Sequence, residues 1–137
     1  MEPAEAFDLL QRSRVARMAT VRPDAGPHIV PVTYAVIDET IVTMIDHKPK
    51  TTTRLQRLVN IQHDPRVSLL VDEWSEDWEK LSWARFDCHG DLHEEDDVWA
   101  SARDALALRY EQYGDRAPSG TAIVLTIEKI TYWSSTR

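Results

Sequence analysis

Short apolar runs and alternating patterns dominate the chain, and helical spacing appears in only a few segments. Glu2 to Arg12, with Phe7, Leu9 and Leu10 as its apolar content, predicts a helix. Arg14 to Val21 sets Val15, Met18 and Val21 among small residues and predicts a strand. Arg22-Pro23-Asp24-Ala25-Gly26-Pro27 then supplies the residue types of a tight connection. His28 to Ile37 is a β-rich run containing Ile29, Val30, Val32, Tyr34, Val36 and Ile37. Asp38-Glu39 marks a turn and Ile41 to Ile45 a third strand, so the first half reads as a meander.

The second half mixes the two periods. Thr51 to Gln62 predicts a short helix, broken by Asp64-Pro65, and Arg66 to Val71 a fourth strand. An acidic, tryptophan-bearing stretch from Asp72 to Ser82 leads to a fifth strand, Trp83 to Leu92. Glu94 to Tyr113 carries the strongest helical pattern. Val98, Ala102, Ala105, Leu106, Leu108 and Tyr110 form its apolar face, behind an acidic first turn. Gly114, Pro118 and Gly120 make a loop, and Thr121 to Trp133 closes the chain as a last strand. About six strands with two or three helices predict a mainly β (α+β) fold, a small barrel with peripheral helices and no βαβ repetition. No repeat or linker divides residues 1–137, so one domain is expected.

Composition narrows the function classes. The 137 residues are 42% hydrophobic and 28% charged, as in a soluble globular protein. No apolar run approaches the roughly 18 residues of a spanning helix, so no membrane partner is expected. The opening Met1-Glu2-Pro3-Ala4-Glu5 lacks a signal-peptide pattern, and Cys88 is the only cysteine; together these read as cytoplasmic. A net charge of -7 argues against nucleic acid as partner.

Within this acidic chain the cations gather in Asp46-His47-Lys48-Pro49-Lys50-Thr51-Thr52-Thr53-Arg54-Leu55-Gln56-Arg57. On a helix, Lys50, Arg54 and Arg57 would share one face, beside a docking face of Leu55, Leu58 and Val59. Thr51, Thr52 and Thr53 would lie at its N-terminus, where hydroxyls and free N–H groups favour an anion. Two readings stand: an anion site with bidentate arginine contacts, or a solvated face balanced by nearby acids. Trp74 and Trp78, four apart, are open to two readings as well. They stack on or cover a flat ligand, or they fill a core or a dimer interface.

Other chemistry is thinly represented. His89 and His93 have ligand spacing only on a helix, which Gly90 and the strand pattern oppose, so no metal site is expected. His28, His47 and His63 are isolated in sequence. The chain has four glycines and no G-x-S-x-G, P-loop or G-x-G-x-x-G, which removes the Rossmann and Walker phosphate sites.

Three blocks in order resemble the pyridoxamine 5'-phosphate oxidase-like family. Val15-Ala16-Arg17-Met18-Ala19-Thr20-Val21 with Gly26-Pro27-His28-Ile29-Val30-Pro31-Val32 is similar to its opening. Lys48 to Ile61, followed by Asp64 to Asp72, is similar to its cofactor-phosphate segment. Trp78-Glu79-Lys80-Leu81-Ser82-Trp83-Ala84-Arg85-Phe86-Asp87 resembles a run of the actinobacterial branch that uses the deazaflavin coenzyme F420. The third block departs from the family pattern, with Cys88-His89 ahead of Gly90. The resemblance implies an FMN-binding-like split β-barrel, a homodimer with cofactor sites at the subunit interface, and oxidoreduction of a small organic substrate. It implies that Lys50, Thr51, Arg54 and Arg57 hold the anionic tail of the cofactor. Pro31, Val32, Thr33 and Tyr34, and Thr43 to Ile45 including Met44, would line the ring system, with Arg85 near it and Trp74 and Trp78 covering it. F420 is the expected cofactor and FMN the alternative; hydride passes between reduced F420 and substrate, with solvent, His28 or Tyr34 as proton source. A non-enzymatic carrier of cofactor or haem on the same fold is the competing class.

Overall fold

The computed structural model describes residues 2–46 and 55–135. It contains α1 (Pro3–Arg12), β1 (Ala16–Val21), β2 (Pro27–Val32), β3 (Ala35–Ile37) and β4 (Thr40–Met44), then α2 (Gln56–His63), β5 (Arg66–Glu73), β6 (Ser82–His93), α3 (Asp97–Arg109) and β7 (Ala122–Ser134). Pro3 enters the first turn of α1, where its missing N–H is harmless, and Glu2 and Glu5 form a reciprocal capping box.

The strands form one antiparallel sheet in the order β2-β1-β5-β6-β7-β4-β3. The two edges, β2 and β3, are consecutive in the chain and separated only by Thr33 and Tyr34. Three Cα steps span roughly 11 Å at most, so the sheet must curl until its edges nearly meet. The result is a split barrel, open along the seam between β2 and β3. The inner face buries Met18, Leu69, Val71, Phe86, Ile41, Ile123 and Leu125, and α1 adds Leu9 and Leu10. A second cluster lies beneath α3, where Ala102, Leu106 and Tyr110 pack on Ala35, Val42, Met44 and Ala122. Residues of β4 therefore pack in both clusters, as its almost continuous burial shows. Among the described residues, no helix is long and apolar enough to cross a membrane.

Three expectations are revised. The His28–Ile37 run is two strands, not one. At the break, Tyr34 buries its ring in the core. Its N–H donates to the Tyr110 hydroxyl at 3.2 Å, and its carbonyl accepts from the same hydroxyl at 3.1 Å. The Thr33 carbonyl accepts from Thr43 Oγ1 at 2.7 Å, so side chains replace the lost ladder. The helix expected over Thr51–Gln62 begins at Gln56, because Leu55 is extended (φ -65°, ψ 145°). The Thr51–Arg54 part of the expected helix, and with it Lys50 and Arg54, lies outside the described residues. The helix expected over Glu94–Tyr113 is only α3. Glu95 has a positive φ of 52°, and the Asp96 carboxylate accepts from the Trp99 N–H at 2.8 Å, capping the start. At the other end Tyr110 leaves the helix to direct its hydroxyl inward, and Leu108, expected on the apolar face, is 90% exposed.

Candidate functional site

A cleft of about 480 Å3 opens at the barrel seam, within the size range of small-molecule sites. Val15, just before β1, stands on one side with Pro31, Val32 and Thr33 at the end of β2. Thr43, Met44, Ile45 and Asp46, from the end of β4, form the other side, and Leu55 and Arg57 close it from the start of α2. Sequence chemistry accounts for these placements. Proline is tolerated on β2 because it is an edge strand. The bond from Thr43 Oγ1 to the Thr33 carbonyl ties the two walls together.

Backbone bonds clasp the end of β4. The Ile45 N–H donates to the Thr121 carbonyl at 3.0 Å, the Gly120 N–H to the Ile45 carbonyl at 3.0 Å, and the Ser119 N–H to the Asp46 carbonyl at 2.8 Å. A Cβ on Gly120 would lie 2.5 Å from the Ile45 Cβ, so this approach requires glycine.

Arg57 is positioned by the way α2 docks. Leu58 and Ile61 enter the barrel core, while the fully buried Asn60 donates from Nδ2 to Thr20 Oγ1 at 2.9 Å. Gln56 Nε2 in turn donates to Asn60 Oδ1 at 2.7 Å. These polar contacts fix the roll of a helix only two turns long and hold Arg57 at the cleft. Partial burial lowers the Arg57 pKa, opposed by the nearby Asp46 carboxylate. No carboxylate forms an ion pair with Arg57 among the described residues. A partly desolvated guanidinium facing a mostly apolar cleft favours an anionic ligand.

Of the sequence-predicted residues, the fold brings Pro31, Val32, Thr33, Met44 and Arg57 together, along with Thr43 and Ile45. Tyr34 does not join them. Its hydroxyl proton is shared between the Leu10 and Ser13 carbonyls at the end of α1, which also removes it as a proton donor to the cleft. His28 lies on β2 opposite Thr20 and does not line the cleft. Its Nδ1 is buried without a partner, and burial, Arg22 and Arg57 lower its pKa, which favours the neutral ring. Arg85 points from the outer face of β6, 3.5 Å from Asp87 Oδ1 and 3.4 Å from Thr131 Oγ1. Trp74 and Trp78 stand exposed at 65% and 68% around the acidic β5–β6 connection, away from the cleft. Lys50, Thr51 and Arg54 lie outside the described residues. The β6 strand runs through Cys88–His93, so the helical spacing of His89 and His93 is not realised.

Val15, Leu55 and Asp46 line the cleft without having been expected there as site residues. For Asp46 a signal existed: a carboxylate ending an apolar strand, next to the cation run. Val15 and Leu55 carried none, being ordinary apolar residues beside the elements they flank.

The family model described as pyridoxamine 5'-phosphate oxidase matches residues 3–134. No curated protein matches the sequence. Among solved structures, a conserved hypothetical protein of Mycobacterium tuberculosis is similar at 25% identity and TM-score 0.79, over 98% of this chain and 86% of that one. A FAD-binding protein of Mesorhizobium loti is similar at 19% identity and TM-score 0.76, over 96% and 92% of the two chains. The haem storage protein HutZ of Vibrio cholerae is similar at 16% identity and TM-score 0.75, over 96% and 93%.

Proposed function

The chain belongs to the pyridoxamine 5'-phosphate oxidase family, and from that premise we propose that it is an oxidoreductase holding a flavin-type cofactor in the seam cleft, with F420 as that cofactor and a small organic molecule as substrate. The observation that carries this reading is Arg57, without an ion-pair partner among the described residues, at one end of a cleft otherwise walled largely by Val15, Pro31, Val32, Met44, Ile45 and Leu55. Apolar walls of this kind suit a flat ring system and exclude water from it, while the guanidinium suits a phosphate. When bound, the cofactor supplies hydride transfer; the chain supplies binding, orientation and a dry site. F420 is preferred over FMN because Lys50 and Arg54 neighbour Arg57 in sequence, a run of cations that fits a longer anionic tail than one phosphate. None of the four described histidines lines the cleft.

Arg85 and Trp78 serve the site in this reading only across a subunit interface, so a homodimer is part of the proposal. Light scattering should give twice the 15.8 kDa chain mass; a monomer that binds cofactor tightly would remove Arg85 and Trp78 from the site. The main test is titration of the purified protein with F420 and with FMN, followed by tryptophan fluorescence. F420 should bind more tightly, and Arg57→Gln should weaken binding by about 10- to 100-fold, the range expected for a hydrogen bond to a charged group. Preferential FMN binding would make this a flavin enzyme, and binding of neither would end the reading.

A further inference from the structure

A second cavity, of about 370 Å3, adjoins the cleft and is lined by Arg14, Thr33, Asp46, Tyr110, Gln112 and Tyr113. It shares Thr33 and Asp46 with the cleft. The Tyr113 hydroxyl lies 3.0 Å from Thr33 Oγ1 and donates to Asp46 Oδ1 at 3.0 Å. The partition between the two spaces is therefore a bridge of three hydrogen-bonded side chains. Burial and the Asp46 carboxylate both favour a protonated Tyr113, which keeps that bridge intact at neutral pH.

The wall chemistry is specific. Tyr110 and Tyr113 present rings 6.0 Å apart and nearly perpendicular. Arg14 is held in place by lying 4.5 Å above the Tyr110 ring and by donating from Nη2 to the Arg109 carbonyl at 3.0 Å. No carboxylate pairs with Arg14 among the described residues. Asp46 is engaged by Tyr113 and lies near Arg57, at the cleft side of the cavity. A guanidinium pre-oriented on the buried Tyr110 ring, with Tyr113 as an aromatic wall beside it, defines a site for a flat molecule with one anionic group.

We infer that this cavity binds planar organic carboxylates, beside the cleft and separate from it. The carboxylate pairs with Arg14, the ring packs against Tyr113, and the remote end faces the Thr33–Tyr113–Asp46 bridge. The site stands on the cavity alone and is independent of the reading of the cleft as a cofactor site.

The probe is 4-nitrobenzoate, with neutral nitrobenzene as its control, titrated into the cofactor-free protein by calorimetry and amide NMR. Saturable 4-nitrobenzoate binding is expected, weakened at least tenfold by Arg14→Gln. Nitrobenzene should bind more weakly and respond little to that change. Gln112→Trp, which adds bulk to the cavity wall and keeps Arg14 in the chain, should abolish binding of both, so a folding defect in one variant leaves the other decisive. Arg57→Gln should leave 4-nitrobenzoate affinity within about twofold while weakening FMN and F420. Loss of 4-nitrobenzoate binding in Arg57→Gln but not Arg14→Gln would place the carboxylate in the cleft and overturn the inference, as would absence of saturable binding to the wild type. Failure of both cofactors to bind, with Arg14-dependent 4-nitrobenzoate binding intact, would instead sink the cofactor reading and leave the carboxylate site standing.

Discussion

At the residue scale, the hydroxyls of Tyr34 and Tyr110 show how single polar atoms shape the seam. Both side chains are buried, yet each hydroxyl answers backbone groups that no ladder or helix satisfies. Tyr34 reaches the Leu10 and Ser13 carbonyls at the end of α1. Tyr110 serves the Arg14 carbonyl and both backbone groups of Tyr34. Arg109 adds donors to the Gln11 and Ser13 carbonyls and lies 4.9 Å from the Tyr34 ring centroid. A cation there also suits the negative end of α1. Tyr34→Phe keeps the ring but leaves the Leu10 carbonyl without its partner, so stability should fall by about 1–3 kcal/mol, measured by denaturant unfolding. Because Tyr34 does not line the cleft, cofactor affinity at 25 °C should stay within about twofold; a large loss would show that the seam geometry depends on this hydroxyl.

At the element scale, α2 matters most, because it carries Arg57 and is only eight residues long. Helices of this length have little intrinsic stability and take their geometry from docking. Leu58 and Ile61 anchor it by apolar burial, but the buried Asn60–Thr20 bond sets its rotation. Asn60→Ala would leave the Thr20 hydroxyl unpaired and release Gln56, at a cost of about 1–3 kcal/mol. The expected signature is coupled: lower stability, together with weaker cofactor binding, from a residue that does not touch the ligand. Unfolding curves and fluorescence titration measure both, and unchanged affinity in the folded variant would mean that Arg57 is placed by other contacts. Gly90 belongs to the same docking. A Cβ there would lie 3.1 Å from Val67 Cγ2 and 3.2 Å from Ile61 Cγ2, so β6 approaches both α2 and β5 at a position where only hydrogen fits easily.

For the whole molecule, the same barrel that shelters the core also traps groups that ionise in alkali. Burial raises the Cys88 thiol from 9.0 to about 12 and the Tyr34 hydroxyl from 10.0 to about 12. Their neutral forms are thus favoured in the folded state. As pH rises from about 9 to 12, the unfolded chain releases these protons before the folded one does. Stability is therefore fully present below about pH 9 and is lost through that window. Thermal midpoints should decline steadily above pH 9, and Cys88→Ala should flatten the first part of the decline relative to its own value at pH 8. A decline equally steep in Cys88→Ala would assign it to other groups.

The alternating apolar runs were enough to specify strands, their approximate places and a barrel with peripheral helices, because side-chain period reflects which face is buried. Periodicity did not mark Pro31 to Thr33, Thr43 to Ile45 and Arg57 as cleft residues; the family resemblance, and for Arg57 also the run of cations, pointed to them. The break at Thr33–Tyr34 was not legible, since it depends on the Tyr110 hydroxyl, 76 residues away, taking over from the ladder. Nor was the start of α2, because Leu55 is extended within a segment whose spacing reads as helical. Arg85 and Trp78 matched a local motif, yet strand alternation and the β5–β6 connection carry them away from the cleft of their own chain. Local pattern determines which face of an element is buried. Only the closure of the sheet decides which distant elements meet, and at this seam their meeting makes the cleft and the cavity beside it.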